Sequence, residues 1–268
     1  MMLDREDDMD FEIDADFVNL TAENLADEHL CCIIRSKPHP GVEAKRQWLF
    51  ERLKEGHVFR KLNDRATVGL KEKATVFIEY APLETAWVPI TGDNYYYIYC
   101  LWVSGSSKGK GYGKALMKYC LEDARAKGKS GVCMLGAGKQ KAWLSDQSFA
   151  KKFGFEVVDT TDYGYELLAI SFDGTKPRFA PGVKTPEIER RELTIYYSMQ
   201  CPFIHRRIET IQQYCAENGV PCSFLQVDTL QKAKELPCVF NNWAVFYNGR
   251  FETVNLLDIP QLKRILAL

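Results

Sequence analysis

The densest chemistry in the sequence lies just after residue 103. Ser104-Gly105-Ser106-Ser107-Lys108-Gly109-Lys110-Gly111-Tyr112-Gly113-Lys114 sets four glycines and three lysines between an apolar run ending at Val103 and a helical run that starts at once. A helix N-terminus presents unpaired N–H groups and the positive end of the macrodipole. Glycines let that backbone approach a phosphate closely, and Lys108, Lys110 and Lys114 add charge beside it. The unit is built for a pyrophosphate. Neither the P-loop spacing nor the dinucleotide G-x-G-x-x-G spacing is present. Three other positions bear on chemistry. Glu79 stands inside an apolar run and needs a reason to be there; it is a general-base candidate, or else an outward-facing or paired acid. Tyr97 and Tyr99 precede Leu101 at alternate positions and share one strand face. There they line an acceptor pocket, hold a water or simply pack, and Tyr99 is the second catalytic candidate. Cys201 opens a helix, a position that lowers a thiol pKa.

These residues must be positioned by regular elements. Residues 21–35 read as a helix with Thr21 as its cap, and 42–55 as a second helix after the breaker Pro38-His39-Pro40-Gly41. Strands are expected at Val58–Leu62, Thr75–Tyr80 and Tyr95–Val103, which are rich in β-branched and aromatic residues. A helix over 111–128 follows, then a short strand at Val132–Leu135, a helix over 142–153 ended by Gly154, and a strand at Tyr165–Phe172. Pro177, Pro181 and Pro186 with Gly174 and Gly182 mark a linker over 174–192. The pattern then restarts: strand 193–198, helix 203–217, strand 222–228, strands 243–247 and 250–254 about an Asn248-Gly249 turn, and helix 258–267. The expected organisation is an acidic tail 1–16, a domain over 17–173, the linker, and a smaller domain over 193–268.

Lys108-Gly109-Lys110-Gly111-Tyr112-Gly113 resembles motif A of the GNAT superfamily, [R/Q]-x-x-G-x-[G/A], with lysine in the first place. Leu101-Trp102-Val103, Ala115-Leu116-Met117 and Phe149-Ala150-Lys151-Lys152-Phe153-Gly154-Phe155 also look like that family. The resemblance covers residues 17–172. It implies an α/β (α+β) architecture, a mixed-sheet acyltransferase domain that binds acetyl-CoA as acyl donor. It implies that Leu101 and Val103 pair with the pantetheine arm, and that Lys108, Gly109, Lys110, Gly111, Tyr112, Gly113 and Lys114 cradle the pyrophosphate. An amine of a small molecule or peptide then attacks the thioester directly in a ternary complex. The family's usual tyrosine acid falls on Ala150 and its usual asparagine on Trp143, so an acyl-CoA sensor without turnover is the rival reading.

The order of the last 76 residues is similar to the thioredoxin fold. Ser198-Met199-Gln200-Cys201-Pro202-Phe203-Ile204 sits where glutaredoxins carry C-P-Y-C, and Phe246-Tyr247-Asn248-Gly249 matches their F-x-N-G hairpin. Ile204 replaces the second cysteine, and the family's cis-proline position falls on Asn241. A domain of this kind behind a GNAT domain looks like the YoaP-type acetyltransferases. A thiol role for Cys201 in detoxification is kept beside the reading of this domain as a scaffold or cap over the substrate.

Composition sets the outer limits. Apolar residues are 46% and charged residues 26% of the 268, so a sizeable core can form. Residues 1–16 hold eight acids and one arginine, net −7, and the rest hold 28 acids and 34 bases, net +6. The start reads as a solvated tail. The body has no long basic run, so no nucleic-acid partner is expected. No apolar stretch is long enough to span a bilayer, the start lacks an apolar h-region, and a cytoplasmic location is the expectation. The nine cysteines form no C-x-x-C pair, so neither a disulfide framework nor a zinc site is expected. The sequence does not set the oligomeric state.

Overall fold

The computed structural model describes residues 16–32, 39–63 and 75–267. The first half is built on a seven-stranded sheet. Its strands are β1 (Phe17–Asn19), β2 (Val58–Leu62), β3 (Val76–Pro82), β5 (Tyr95–Val103), β6 (Gly131–Ala137), β7 (Glu156–Thr160) and β8 (Tyr165–Ser171). They lie side by side in the order β1-β2-β3-β5-β6-β8-β7. Helix α1 (Pro40–Leu53) lies on one face, with Lys45, Trp48 and Leu49 buried. Proline suits its first turn, where no N–H partner is needed. Helix α2 (Tyr112–Ala126) lies on the other face. It buries Leu116, Met117, Cys120, Leu121 and Ala124, the i, i+4, i+8 stripe of an amphipathic helix.

The neighbouring pairs in this sheet are antiparallel except β5 with β6. That pair runs together only from Tyr95–Gly131 to Ile98–Met134. Beyond Ile98 the strands separate, because β6 continues with β8 while β5 continues with β3. Glu79 pairs with Cys100 and Tyr80 with Ile98, so Tyr99 is an extra residue, a β-bulge. The bulge resets the alternation. Tyr97 and Tyr99 do share a face, at 5.0 Å between ring centroids, but Leu101 packs on the opposite, α2 side.

Two expected helices are corrected. Residues 22–27 form turns, and 33–38 lie outside the described residues. The Asn24 side chain accepts the Thr21 N–H at 2.8 Å and donates to the Asn19 carbonyl at 3.0 Å, local bonds that compete with a helical ladder. The helix expected over 142–153 shortens to α3 (Gln147–Lys151). Asp146 caps it by accepting from the N–H groups of Ser148 and Phe149, and Trp143 has φ 67°, which no helix tolerates. The segment 174–192 is packed. Its β9 (Arg178–Phe179) pairs with β4 (Ile90–Thr91). Of the acidic tail only Asp16 falls within the described residues.

The second half has a four-stranded sheet. Its strands are β10 (Leu193–Tyr197), β11 (Cys222–Gln226), β12 (Trp243–Tyr247) and β13 (Arg250–Thr253), in the order β11-β10-β12-β13. Helices α4 (Phe203–Asn218), α5 (Leu230–Lys234) and α6 (Ile259–Leu266) complete it. Leu193, Ile195, Trp243 and Val245 face α4 and α6. The opposite side, with Ala244 and Phe246, joins one apolar core with Tyr97, Leu135 and Leu167 of the first half. No helix among the described residues is long and apolar enough to cross a membrane.

Candidate active site

Where β5 leaves β6, a cleft of about 800 Å³ opens. Leu101 and Val103 line it from the strand, and Lys108, Gly109, Gly111, Tyr112, Gly113 and Lys114 line it from the turn and the start of α2. Lys110 is exposed and is not part of this wall. Gly111 is the N-cap of α2 at φ 78°, and no side chain caps the helix. A left-handed cap favours glycine and leaves the first-turn N–H groups for a ligand. The freed edges of the two strands are met by the loop before α3. Ser145 Oγ accepts the Leu101 N–H at 3.2 Å. The Gln147 side chain accepts the Ala137 N–H at 2.9 Å and donates to the Ala137 carbonyl.

A second cavity, of about 410 Å³, lies on the α1 side of β5. The two share Leu101, Trp102, Leu144 and Ser145 as a common wall. Glu79 sits in the second cavity with no exposed surface. Its Oε2 accepts from Lys45 Nζ at 2.6 Å and from Gln200 Nε2 at 2.8 Å, and its Oε1 lies 3.1 Å from His57 Nε2. Asn242 in turn donates to Gln200 Oε1 at 2.7 Å. Burial alone would raise the Glu79 pKa, but the Lys45 charge and the His57 contact hold it below 4.5. Burial lowers the pKa of His57, which stays neutral despite Glu79. Burial opposes the charge on Lys45 too, and Glu79 overcomes it, raising the Lys45 pKa above 10.5. Tyr99 lines the cavity with its ring, while its hydroxyl accepts the Trp87 N–H at 2.6 Å. Tyr97 donates to Asn241 Oδ1 at 2.8 Å.

Cys201 corrects an expectation. It lies just before α4, next to the N-cap Pro202, but burial pushes its thiol from 9.0 up to about 12, outweighing the Phe203 N–H that favours thiolate. Alkylation of Cys201 by iodoacetamide at pH 8 should therefore run about a thousandfold slower in the native protein than at an unperturbed thiol. Mass spectrometry of quenched time points measures it, and a rate near that of an unperturbed thiol overturns the assignment. Among the described residues no group of three or more His, Cys, Asp or Glu is arranged to hold a metal ion.

The family model for the acetyltransferase (GNAT) family matches residues 22–155, and the YoaP-like model matches residues 221–264. A Bacillus subtilis (strain 168) protein described as the uncharacterized N-acetyltransferase YoaP is 34% identical over 253 residues, covering 93% of this chain and 98% of its own. The chain belongs to the GNAT acetyltransferase family. Its alignment with the Bacillus protein runs through both halves of the chain. Among solved structures, the PaiA N-acetyltransferase of Thermoplasma acidophilum in complex with coenzyme A is 16% identical with TM-score 0.40, over 60% of this chain and all of its own. A GNAT family acetyltransferase of Brucella melitensis in complex with acetyl-CoA is 14% identical with TM-score 0.37, over 61% of this chain and 91% of its own.

Sequence reading alone misses Lys45, His57, Gln200, Asn242 and Ser145 in this GNAT site. One signal does point to Lys45. It falls between Gly41 and Trp48-Leu49 on the i, i+4, i+7, i+8 stripe that α1 buries, and a lysine there requires a partner.

Proposed function

We propose that the chain is an acetyl-CoA-dependent N-acetyltransferase that acts on the amine of a small molecule or peptide by direct attack in a ternary complex. One observation carries this reading: the glycine-lined cleft and the cavity around Glu79 meet along Leu101, Trp102, Leu144 and Ser145. Donor and acceptor can then lie on the two sides of one strand, held in reacting order. The uncapped start of α2, with Lys108 and Lys114, fits a pyrophosphate. Leu101 and Val103 on the separated edge of β5 fit a pantetheine arm, and ligand entry there exchanges the Ser145 bond to Leu101. Bound acetyl-CoA supplies an acetyl group activated as a thioester. In this reading the apolar cavity favours the neutral, nucleophilic form of an amine. As the nitrogen adds to the thioester carbonyl, the C–S bond breaks and CoA departs as thiolate; the nitrogen sheds one proton and the thiolate takes one up, with Glu79, ionised and held by Lys45, Gln200 and His57, as the base candidate in the acceptor cavity. Tyr99 acts as a wall, since its hydroxyl is held by Trp87. Ser145 offers a hydroxyl where the two cavities meet, whereas Ala150 at the family's tyrosine position offers none.

The test is calorimetric titration with acetyl-CoA followed by initial-velocity measurements with amines, CoA and acetylated amine being quantified by mass spectrometry. Saturable binding and intersecting double-reciprocal lines are expected. Parallel lines would overturn direct attack. Binding with no turnover of any amine makes the chain an acyl-CoA sensor, the reading that Ala150 favours.

A further inference from the structure

We propose that the YoaP-like half reads the acceptor: its turn Gln200–Phe203, closed against Trp143, limits the Glu79 cavity to small monoamines with an apolar body. The inference rests on the reading that this cavity takes the acceptor amine.

Among the described residues lining the cavity, Lys45 and Glu79 alone carry charge. They neutralise each other at 2.6 Å with neither exposed. Both Glu79 oxygens are engaged, one by Lys45 and Gln200 and the other by His57. A polyamine or an aminoglycoside carries several positive charges, and each needs an unpaired carboxylate when desolvated. An amino acid or acidic amine needs an unpaired cation. The described lining residues supply neither. What they supply is apolar wall, with Leu30, Phe77 and Trp102, and thiols that remain uncharged. Burial raises the pKa of Cys100 and Cys201, and a hydrogen bond to Cys31 with burial raises that of Cys32.

A volume of about 410 Å³ is in the range of small-molecule sites. The turn from the second half forms one wall of the cavity. On one side it touches the start of α1, where a Cβ on Gly41 would lie 2.0 Å from the Pro202 carbonyl oxygen. On the other, Phe203 packs edge-on to Trp143 with ring centroids 5.5 Å apart. Trp143 stands at φ 67°, a conformation that strains a bulky residue and that glycine adopts freely. Strain of this kind persists where the ring has a use, and here the ring lines the cavity.

That backbone also provides the test. Trp143→Gly removes the ring while keeping the loop conformation. The full chain, with acetyl-CoA, is assayed with 2-phenylethylamine, spermidine, kanamycin and a tripeptide with a free N-terminus. The expected kcat/KM for 2-phenylethylamine exceeds each of the others by at least about tenfold. Trp143→Gly and Phe203→Ala should each raise its KM by about tenfold, with kcat and the acetyl-CoA Kd unchanged. Equal or better use of spermidine, kanamycin or the tripeptide overturns the inference, as does an unmoved KM in both variants. If acetyl-CoA itself does not bind, the acetyltransferase reading fails separately. Calorimetry of 2-phenylethylamine against wild type and Trp143→Gly then decides this inference alone: binding weakened by the variant upholds it, and no binding by wild type overturns it.

Discussion

Gly111→Glu abolishes acetyl-CoA binding, with an expected rise in Kd of at least about a hundredfold. Two effects combine. The position is a left-handed N-cap at φ 78°, which strains any side chain with a Cβ. The new carboxylate also stands at the positive end of α2, where the proposed function seats the pyrophosphate, and like charges brought together cost several kcal/mol; about 2.7 kcal/mol is already a hundredfold in Kd. Gly111→Ala separates the two, because it adds strain without charge, and a loss of only about fivefold is expected from about 1 kcal/mol. Calorimetric titration of the three proteins measures this. Binding by Gly111→Glu as tight as wild type would remove the pyrophosphate from this turn.

The largest loss of stability is expected from Glu79→Gln. The substitution keeps the shape and leaves the Lys45 ammonium buried without a counter-charge. Breaking a buried pair from one side costs about 3–5 kcal/mol, seen as a lower urea midpoint at an unchanged slope. Replacing both partners, Lys45→Met with Glu79→Leu, should recover most of it, since a well-packed apolar pair removes both desolvation penalties. A single variant as stable as wild type would mean that the cluster admits water. The same residues set the pH response. His57 is held neutral when folded, so the unfolded chain binds its proton first and stability falls as pH drops below 6.5. Glu79 is depressed, so its contribution is present above 4.5 and is lost as pH falls through its lower folded value. Lys45 is raised, so its contribution is full below 10.5 and is lost as pH climbs past that value. Glu79→Gln should lose the Glu79 share of the acid limb, leaving that of depressed carboxylates such as Asp159, and keep the His57 limb.

Local signals make part of this site legible in the sequence. Val58–Leu62 and Tyr95–Val103 fall on the strands that form, because alternation and β-branched or aromatic residues act over a few neighbours. The glycine-lysine turn is local as well, and α2 starts where it ends. What stays hidden is set by distance along the chain. Glu79 meets Lys45, His57 and Gln200 across separations of 34, 22 and 121 residues, and no periodicity encodes such a meeting. The bulge at Tyr99 depends on a one-residue mismatch between β3 and β5, which neither strand announces alone. Cys201 shows a local rule overruled: the approach to a helix start favours thiolate, but desolvation of this half-buried thiol in the cavity wall outweighs it.

The shared core makes the two halves inseparable in practice. Val239, Phe240 and Phe246 are buried in one cluster with Tyr97, Leu135 and Leu167. Lys234 reaches across to donate to the Leu83 carbonyl at 2.7 Å. A recombinant fragment stopped at the linker would carry into water the apolar face that these side chains now cover, and would invite aggregation. The tail can therefore not be traded among relatives like a cassette. Substitutions at the shared core on either side of residue 174 must suit the other side, so the two halves stand or fall together.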